Sequence, residues 1–246
     1  MIDVRSLTLA QVAAVCDHTF LQRPECLRGA VTDPPAAYER NVSAFIEGLL
    51  ALDPAPYAVC VRAEEVARLR AALSAAGKEQ IVIAAVVGFP LGDQAPRYLK
   101  VLETQFALSQ GAREIDTVLR WRALQNGEDE IVRADVAAVV EVAHAQDALV
   151  KVILETCELS DEQIRRACVL CAETGADFVK TSTGFGKGGA TVAALAAMRE
   201  SFAGGIKISG GVNADNLHEL LTAAYGAQIA ALDPRRLRIG ESSLLK

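Results

Sequence analysis

Asp177-Phe178-Val179-Lys180-Thr181-Ser182-Thr183-Gly184-Phe185-Gly186-Lys187-Gly188-Gly189 is an apolar strand with one lysine in it, running directly into a glycine-rich turn. A protonated amine on a buried strand is costly unless it is paired or gives up its proton. A carboxylate partner, or a strand that stops at Val179, accounts for one such lysine. A second of the same kind changes the reading. Gly205-Ile206-Lys207-Ile208-Ser209-Gly210-Gly211 is again a β-branched strand with a central lysine that opens into glycines. Strands one βα repeat apart are neighbours in a parallel sheet and aim both amines at the same end. Two like charges about 5 Å apart at an effective dielectric near 20 repel by roughly 3 kcal/mol, or about two pKa units. One of the pair is therefore expected to lose its proton readily, and a neutral amine is the nucleophile of Schiff-base chemistry.

Outward from these two strands the same alternation recurs. Strands are expected at 17–20, 57–61, 81–87, 114–119, 149–154, within the stretch quoted first, and at 206–209 and 237–240. Helical periods fill the intervals at 36–52, 64–76, 97–110, 128–145, 160–175, 191–202 and 213–225, after a short N-terminal helix at 7–15. Residues 22–35, with Pro24, Gly29 and Pro34-Pro35, read as a loop, and Ser160-Asp161-Glu162-Gln163 has the spacing of a capping box. Near-continuous apolar strands alternating with helices indicate a parallel sheet covered on its outer face. Eight such units in one undivided chain predict a single α/β domain over residues 1–246, a (β/α)8 TIM barrel with a short N-terminal helix. A doubly wound sheet fits less well, because no GxGxxG follows the first strand. In a barrel the chemistry sits at the C-terminal ends of the strands, and the loops after the seventh and eighth often hold a phosphate.

The 246 residues are 51% hydrophobic, and 25 Lys and Arg against 31 Asp and Glu give a formal charge of −6. That balance, with no basic run, argues against a nucleic-acid or membrane surface. Cys16, Cys26, Cys60, Cys157, Cys168 and Cys171 are scattered without framework spacing or a signal peptide, so a reducing cytoplasmic compartment is expected. Cys168 and Cys171 form a CxxC, yet they fall inside a periodic helix, which favours a buried helix face over metal or redox use. The three histidines form no ligand cluster with cysteines or carboxylates, so no metal is indicated.

In the predicted barrel Asp116, Lys151, Lys180 and Lys207 converge on one cavity. A carboxylate there can keep one lysine charged and shuttle a proton while a desolvated, repelled neighbour stays neutral. A structural ion pair would explain Asp116 equally well. Lys151 reads as a charge-balancing neighbour, and Asp17 either as a polar partner on the first strand or as part of a capping turn. Cys60 is expected to face the cavity and to be open to alkylation by unsaturated aldehydes. Gly210-Gly211 and Gly240, the latter followed by Ser242-Ser243, let backbone N–H groups approach an anion, and their place beside the lysines favours a phosphate pocket over plain tight turns.

These residues resemble the deoxyribose-phosphate aldolases of the class I, Schiff-base type. The likeness is carried by Asp17-His18-Thr19, Val86-Val87-Gly88-Phe89-Pro90-Leu91-Gly92, Glu114-Ile115-Asp116, Lys151-Val152-Ile153-Leu154-Glu155-Thr156, Phe178 to Phe185, and Lys207 with Gly210-Gly211. The resemblance implies a lyase of carbohydrate catabolism. It would reversibly cleave 2-deoxy-D-ribose 5-phosphate to acetaldehyde and D-glyceraldehyde 3-phosphate, with no metal or organic cofactor. By the same resemblance Lys180 forms the imine, and Asp116 with Lys207 moves protons. Gly184, Gly210, Gly211, Ser242 and Ser243 hold substrate phosphate, with Asp17, Thr19, Cys60, Lys151 and Thr183 in support. The implied partners are small-molecule aldehydes and sugar phosphates, compatible with a homo-oligomer.

Three departures bear on phosphate preference and efficiency. Glu241 stands where the family usually has threonine, and Arg62-Ala63 replaces Asn-Pro after the second strand. The Leu244-Leu245-Lys246 ending carries no terminal tyrosine of the kind seen in some members. Glu241 is expected about 7 Å from a bound phosphate, where repulsion of roughly 1 kcal/mol or more would weaken phosphate binding. Alternation along the strand sets Glu241 with Ile239 on one side and Arg238 with Gly240 and Ser242 on the other, though a turn can break that pattern. The alternatives are a related Schiff-base barrel aldolase acting on another sugar phosphate or an unphosphorylated aldehyde, and a sugar-phosphate-binding barrel without turnover.

Overall fold

Eight parallel strands close on themselves in the computed structural model, which describes residues 1–245. Lys246, the last residue of the chain, lies outside the described residues. The strands are β1 Cys16–Phe20, β2 Ala58–Arg62, β3 Val82–Val87, β4 Glu114–Val118, β5 Leu149–Ile153, β6 Phe178–Lys180, β7 Gly205–Ser209 and β8 Leu237–Glu241. Each pairs with its sequence neighbour, and β8 pairs with β1 to complete the ring. This is the expected (β/α)8 barrel.

Alternation along the strands sorts the two faces. Val59, Val61, Ile83, Ile115, Val150, Val152, Val179, Ile206, Ile208 and Ile239 belong to the large core between barrel and helices. A second, smaller apolar group, Cys60, Ala84, Val86, Val118 and Ile153 with Leu21 and Phe89 above them, fills part of the barrel interior. The inward positions on β1 and β4–β8 carry Asp17, Glu114, Asp116, Lys151, Lys180, Lys207 and Arg238, interspersed with Thr19, Phe178, Ser209 and Gly240. Burial on both faces explains why a period of two is hard to see in these strands.

The helical layer comprises α1 Leu9–Val12, α2 Pro34–Ala51, α3 Val66–Ala75, α4 Arg97–Gln110, α5 Trp121–Gln125, α6 Asp129–His144, α7 Asp161–Glu173, α8 Val192–Ser201 and α9 Leu217–Tyr225. Ser160 forms the predicted capping box with Gln163 at the start of α7, and Cys168 and Cys171 are buried on that helix. Three details differ from the sequence reading. The helix expected at 7–15 is a single α turn between two 3-10 turns, Val4–Ser6 and Ala13–Val15. The short α5 was not anticipated, because Trp121–Gln125 is too brief to show a period. The last helix starts at Leu217 rather than near 213, because Asn213 Oδ1 accepts the backbone N–H groups of Asp215 and Asn216 and holds that segment as a turn.

One charged pair locks the outer layer to the barrel mouth. Lys100 on α4 is fully buried and donates to Asp135 Oδ2 on α6 at 2.5 Å and to the carbonyl of Val118 at the end of β4 at 2.7 Å. Removing one partner of a buried pair leaves an uncompensated polar group, whereas replacing both by apolar residues does not. Lys100→Met is therefore expected to lower the unfolding free energy by about 3 kcal/mol. Lys100→Met/Asp135→Leu should recover most of that loss, as measured by urea unfolding. Equal loss in the single and double variants would show that the pair itself is not what matters.

Candidate active site

Strand register brings the buried charges together. Lys180 pairs with Lys207 and Lys207 with Arg238 across β6, β7 and β8, while Asp116 pairs with Lys151 across β4 and β5. All point into the barrel, with Lys180 nearest its C-terminal mouth and Arg238 deepest. Asp116 is the hub. Its Oδ1 accepts from Lys151 Nζ at 2.8 Å, and its Oδ2 accepts from both Lys180 Nζ and Lys207 Nζ at 2.8 Å. Lys207 Nζ also donates to Asp17 Oδ2, and Lys151 Nζ lies 2.5 Å from Glu114 Oε2. Below them the Arg238 guanidinium bridges Asp17 and Glu114, donates from Nε to the Pro234 carbonyl at 2.7 Å, and sits 4.1 Å from the centre of the Tyr57 ring.

At Asp116, Asp17, Lys207 and Lys151 burial and charged partners compete, and the partners win. Burial alone would raise Asp116, but Lys151, Lys180 and Lys207 hold its carboxyl well below the usual carboxylate range. Burial likewise works against the Asp17 carboxylate, and Lys207, Arg238 and Lys151 outweigh it to bring its pKa down to about 2. For Lys207 burial favours the neutral amine, yet Asp116 and Asp17 raise its pKa above the ordinary lysine value. Lys151 is raised in the same way by Asp116 and Glu114 against burial. Four cations thus face three carboxylates when all seven groups are ionised. Loss of a single proton brings the cluster to neutrality.

Above the cluster a cavity of about 500 Å³ opens to solvent. Lys180, Thr19, Thr183 and Phe185 line it, together with Gly184, Gly210, Gly211, Gly240, Ser242 and Ser243, so every residue singled out for phosphate binding faces one space. Lys180 is 3% exposed, whereas Lys151 and Lys207 are fully covered, so Lys180 is the cluster amine that reaches the cavity. Local hydrogen bonds shape the rim. Thr181 Oγ1 donates to the Ser209 carbonyl and accepts the Ser209 N–H, and Ser209 Oγ donates to the Ser182 carbonyl. At Gly189 a Cβ would lie 2.2 Å from the Gly210 carbonyl oxygen, and Gly210 itself has φ +89°, so both positions require glycine.

Other residues fall as follows. Asp17 lies inside β1 rather than in a capping turn. Cys60 points inward, with Sγ 3.8 Å from Asp116 Oδ2, but it is fully covered, and burial pushes its thiol pKa up. Such a thiol is less open to alkylation than the sequence reading expects. Glu241 is the main correction. Strand β8 continues through it, so its side chain turns to the outer face, where Oε1 lies 2.5 Å from His18 Nδ1 and Oε2 accepts the Leu244 N–H at 2.7 Å. Glu241 borders the mouth cavity, but its side chain is fully covered and does not aim at the phosphate residues. Arg62, from the second departure, is 3% exposed and donates to the carbonyls of Leu21 and Phe89 at the barrel mouth. Sequence reading gave no part to Arg238 or Glu114. Each lies two residues from a residue already placed in the site, on the same face of its strand, and that spacing was the available signal. Glu155, with φ +55°, was also missed; it accepts from Thr183 Oγ1 at 2.5 Å.

Among the described residues no group of three His, Cys, Asp or Glu side chains is arranged to hold a metal ion, and no helix is long and apolar enough to cross a membrane. A desolvated lysine–carboxylate cluster beneath an open cavity at the mouth of a closed βα barrel defines an enzyme of the aldolase class, a carbon–carbon lyase. Comparison with known proteins narrows this. The chain belongs to the DeoC/LacD family of aldolases, whose pattern it matches over residues 13–246. It is 43% identical over 189 residues to the deoxyribose-phosphate aldolase of Thermococcus gammatolerans, an alignment covering 76% of this chain and 79% of that one. It is 34% identical over 249 residues to the deoxyribose-phosphate aldolase of Bacteroides thetaiotaomicron, covering 98% and 90%. Among solved structures, the tetrameric deoxyribose phosphate aldolase from Aeropyrum pernix superposes with a TM-score of 0.75 at 26% identity, covering 97% of this chain and 90% of that one.

The depressed Asp17 carboxyl carries a pH signature. Its pKa is lower folded than unfolded, so its stabilisation is present above the unfolded value of about 3.9 and is lost as pH falls through about 2. In urea unfolding at stepped pH, Asp17→Asn should be less stable than the parent at pH 7. Between about pH 4 and pH 2 its stability should change less, by about 2 kcal/mol. Parallel profiles over that window would mean that Asp17 is not held by Lys207 and Arg238 as described.

Proposed function

We propose that the chain reversibly cleaves 2-deoxy-D-ribose 5-phosphate to acetaldehyde and D-glyceraldehyde 3-phosphate through an imine on Lys180. The observation that carries this reading is that Lys180, alone among the cluster amines, opens onto the cavity, while Lys151 and Lys207 are covered and held as cations. The proton whose loss neutralises the cluster is then that of Lys180. The freed amine adds to the substrate aldehyde and expels water, and the resulting imine draws electrons from the C2–C3 bond. As that bond breaks, the C3 hydroxyl loses its proton and the two-carbon fragment remains as an enamine. Asp116, hydrogen-bonded to both Lys180 and Lys207, is placed to relay protons, and Lys207 supplies the second proton store. Protonation of the enamine carbon and hydrolysis release acetaldehyde and regenerate the amine.

In this reading the imine is the electron sink, so no cofactor or metal is required. The phosphate lies on the N–H groups and hydroxyls around Gly184, Gly210, Gly211, Ser242 and Ser243, beside the loop that leads to α9. The Aeropyrum pernix neighbour is a tetramer, which supports a homo-oligomer for this chain as well. The same reading takes residues 1–246 as one catalytic domain. It acts on small aldehydes and sugar phosphates in the cytoplasm and has no nucleic-acid or membrane partner.

Borohydride reduction in the presence of acetaldehyde should leave one two-carbon adduct, on the peptide that carries Lys180, and Lys180→Met should abolish both adduct and turnover. An adduct on Lys207 or Lys151 would reassign the nucleophile, and no adduct at all would remove the Schiff-base reading.

A further inference from the structure

Ser242 and Ser243 form a wall between two cavities. In front lies the mouth cavity above Lys180; behind lies a second of about 480 Å³, lined among others by His18, Gln22, Asn41 and Phe45. A loop with open space on both sides has little packing to hold it. Among the described residues, the one side chain that hydrogen-bonds the backbone of 242–244 is Glu241, whose Oε2 accepts the Leu244 N–H at 2.7 Å. That bond spans the two serines from the residue before them to the residue after. The other carboxylate oxygen is anchored in turn, 2.5 Å from His18 Nδ1, and the His18 ring stacks on Phe45 of α2 with centroids 5.1 Å apart and planes 10° from parallel. Both members of the pair are buried, His18 at 2% and Glu241 at 4% exposure. The carboxylate is therefore tied to a fixed ring rather than to solvent.

We propose that Glu241 is a positioning residue for the phosphate loop: its carboxylate, braced by His18, ties Leu244 and so holds Ser242 and Ser243 facing the glycine turn at Gly210-Gly211. The inference rests on the phosphate reading above and deepens it. It also reverses the sign that the sequence suggests for this residue. Glu241 borders the mouth cavity, but its side chain is fully covered, with one carboxylate oxygen against His18 Nδ1 and the other on the Leu244 N–H, so the carboxylate is not presented to an anion there.

Binding of inorganic phosphate, measured by isothermal titration calorimetry, tests the tether without requiring turnover. Glu241→Ala should weaken phosphate binding about tenfold, the size expected for losing one buried charge-assisted hydrogen bond. The same factor should appear in KM for 2-deoxyribose 5-phosphate, with kcat changed less than about twofold. Glu241→Gln keeps an acceptor for Leu244 and should stay within about twofold of the parent in both assays. Should the alanine variant fail to fold, His18→Phe, which keeps the ring stack and removes the brace, is expected to weaken phosphate binding in the same direction. Parent-like or tighter phosphate binding by Glu241→Ala overturns the inference, tighter binding meaning that the carboxylate repels the anion after all. A loss in kcat with unchanged phosphate binding overturns it equally. If the parent chain binds no phosphate, the phosphate part of the proposed substrate fails together with this inference; if the parent binds it and the alanine variant matches, this inference fails alone.

Discussion

The Asp116 carboxylate is the interaction on which the site depends. Three lysine amines converge on its two oxygens, and of these only Lys180 reaches the cavity. Three ammonium groups at that spacing could not remain in a desolvated interior without a shared anion, and the anion could not remain without them. Glu114 and Asp17 extend the arrangement downward to Arg238, which anchors it to β8 and to the aromatic face of Tyr57. Positive charge in excess by one is what such an arrangement can release as a proton, and the excess sits next to the single amine that reaches the cavity.

The barrel assigns its interior unevenly. At the level of Asp116, strands β2 and β3 contribute Cys60, Ala84 and Val86, small and apolar, while β1 and β4–β8 contribute the charges of the cluster, and the one charge of β2, Arg62, sits above them at the mouth. Ions are thereby gathered on one side with low-polarity side chains opposite, which keeps water from screening the cluster and strengthens each ion pair within it. The outer helices are held by a separate buried pair, Lys100 with Asp135, whose link to the Val118 carbonyl fixes the end of β4 two residues beyond Asp116.

Much of this was legible in the chain itself. Lysines at 180 and 207 violate the composition of a buried strand, and a violation that repeats one βα unit later, each time before glycines, has few structural explanations. Arg238 and Glu114 were harder to see because an ionised residue at a strand end is ordinary, and the two-residue spacing from Gly240 and Asp116 gains meaning only once the strands are in register. Glu241 was misread for a different reason. Its direction depends on whether β8 ends before or after it, and one residue of strand length moves a side chain to the opposite face. The start of α9 escaped notice because side-chain hydrogen bonds from Asn213 compete with the helix locally, and composition does not reveal which wins.

The contact between Gly189 and the Gly210 carbonyl carries a geometric consequence. Gly189 closes the loop that leaves Lys180, and Gly210 opens the loop that leaves Lys207, with the Ala190 N–H bonded to the Gly210 carbonyl at 3.0 Å. The backbone behind the nucleophile and the backbone at the glycine turn are therefore joined directly at this point. On the proposed reading, that junction sets how far the loop behind Lys180 stands from the anion-binding amides. A side chain at Gly189 or Gly210 would push the two loops apart, so it would act on the fit between the two ends of a substrate rather than on either end alone.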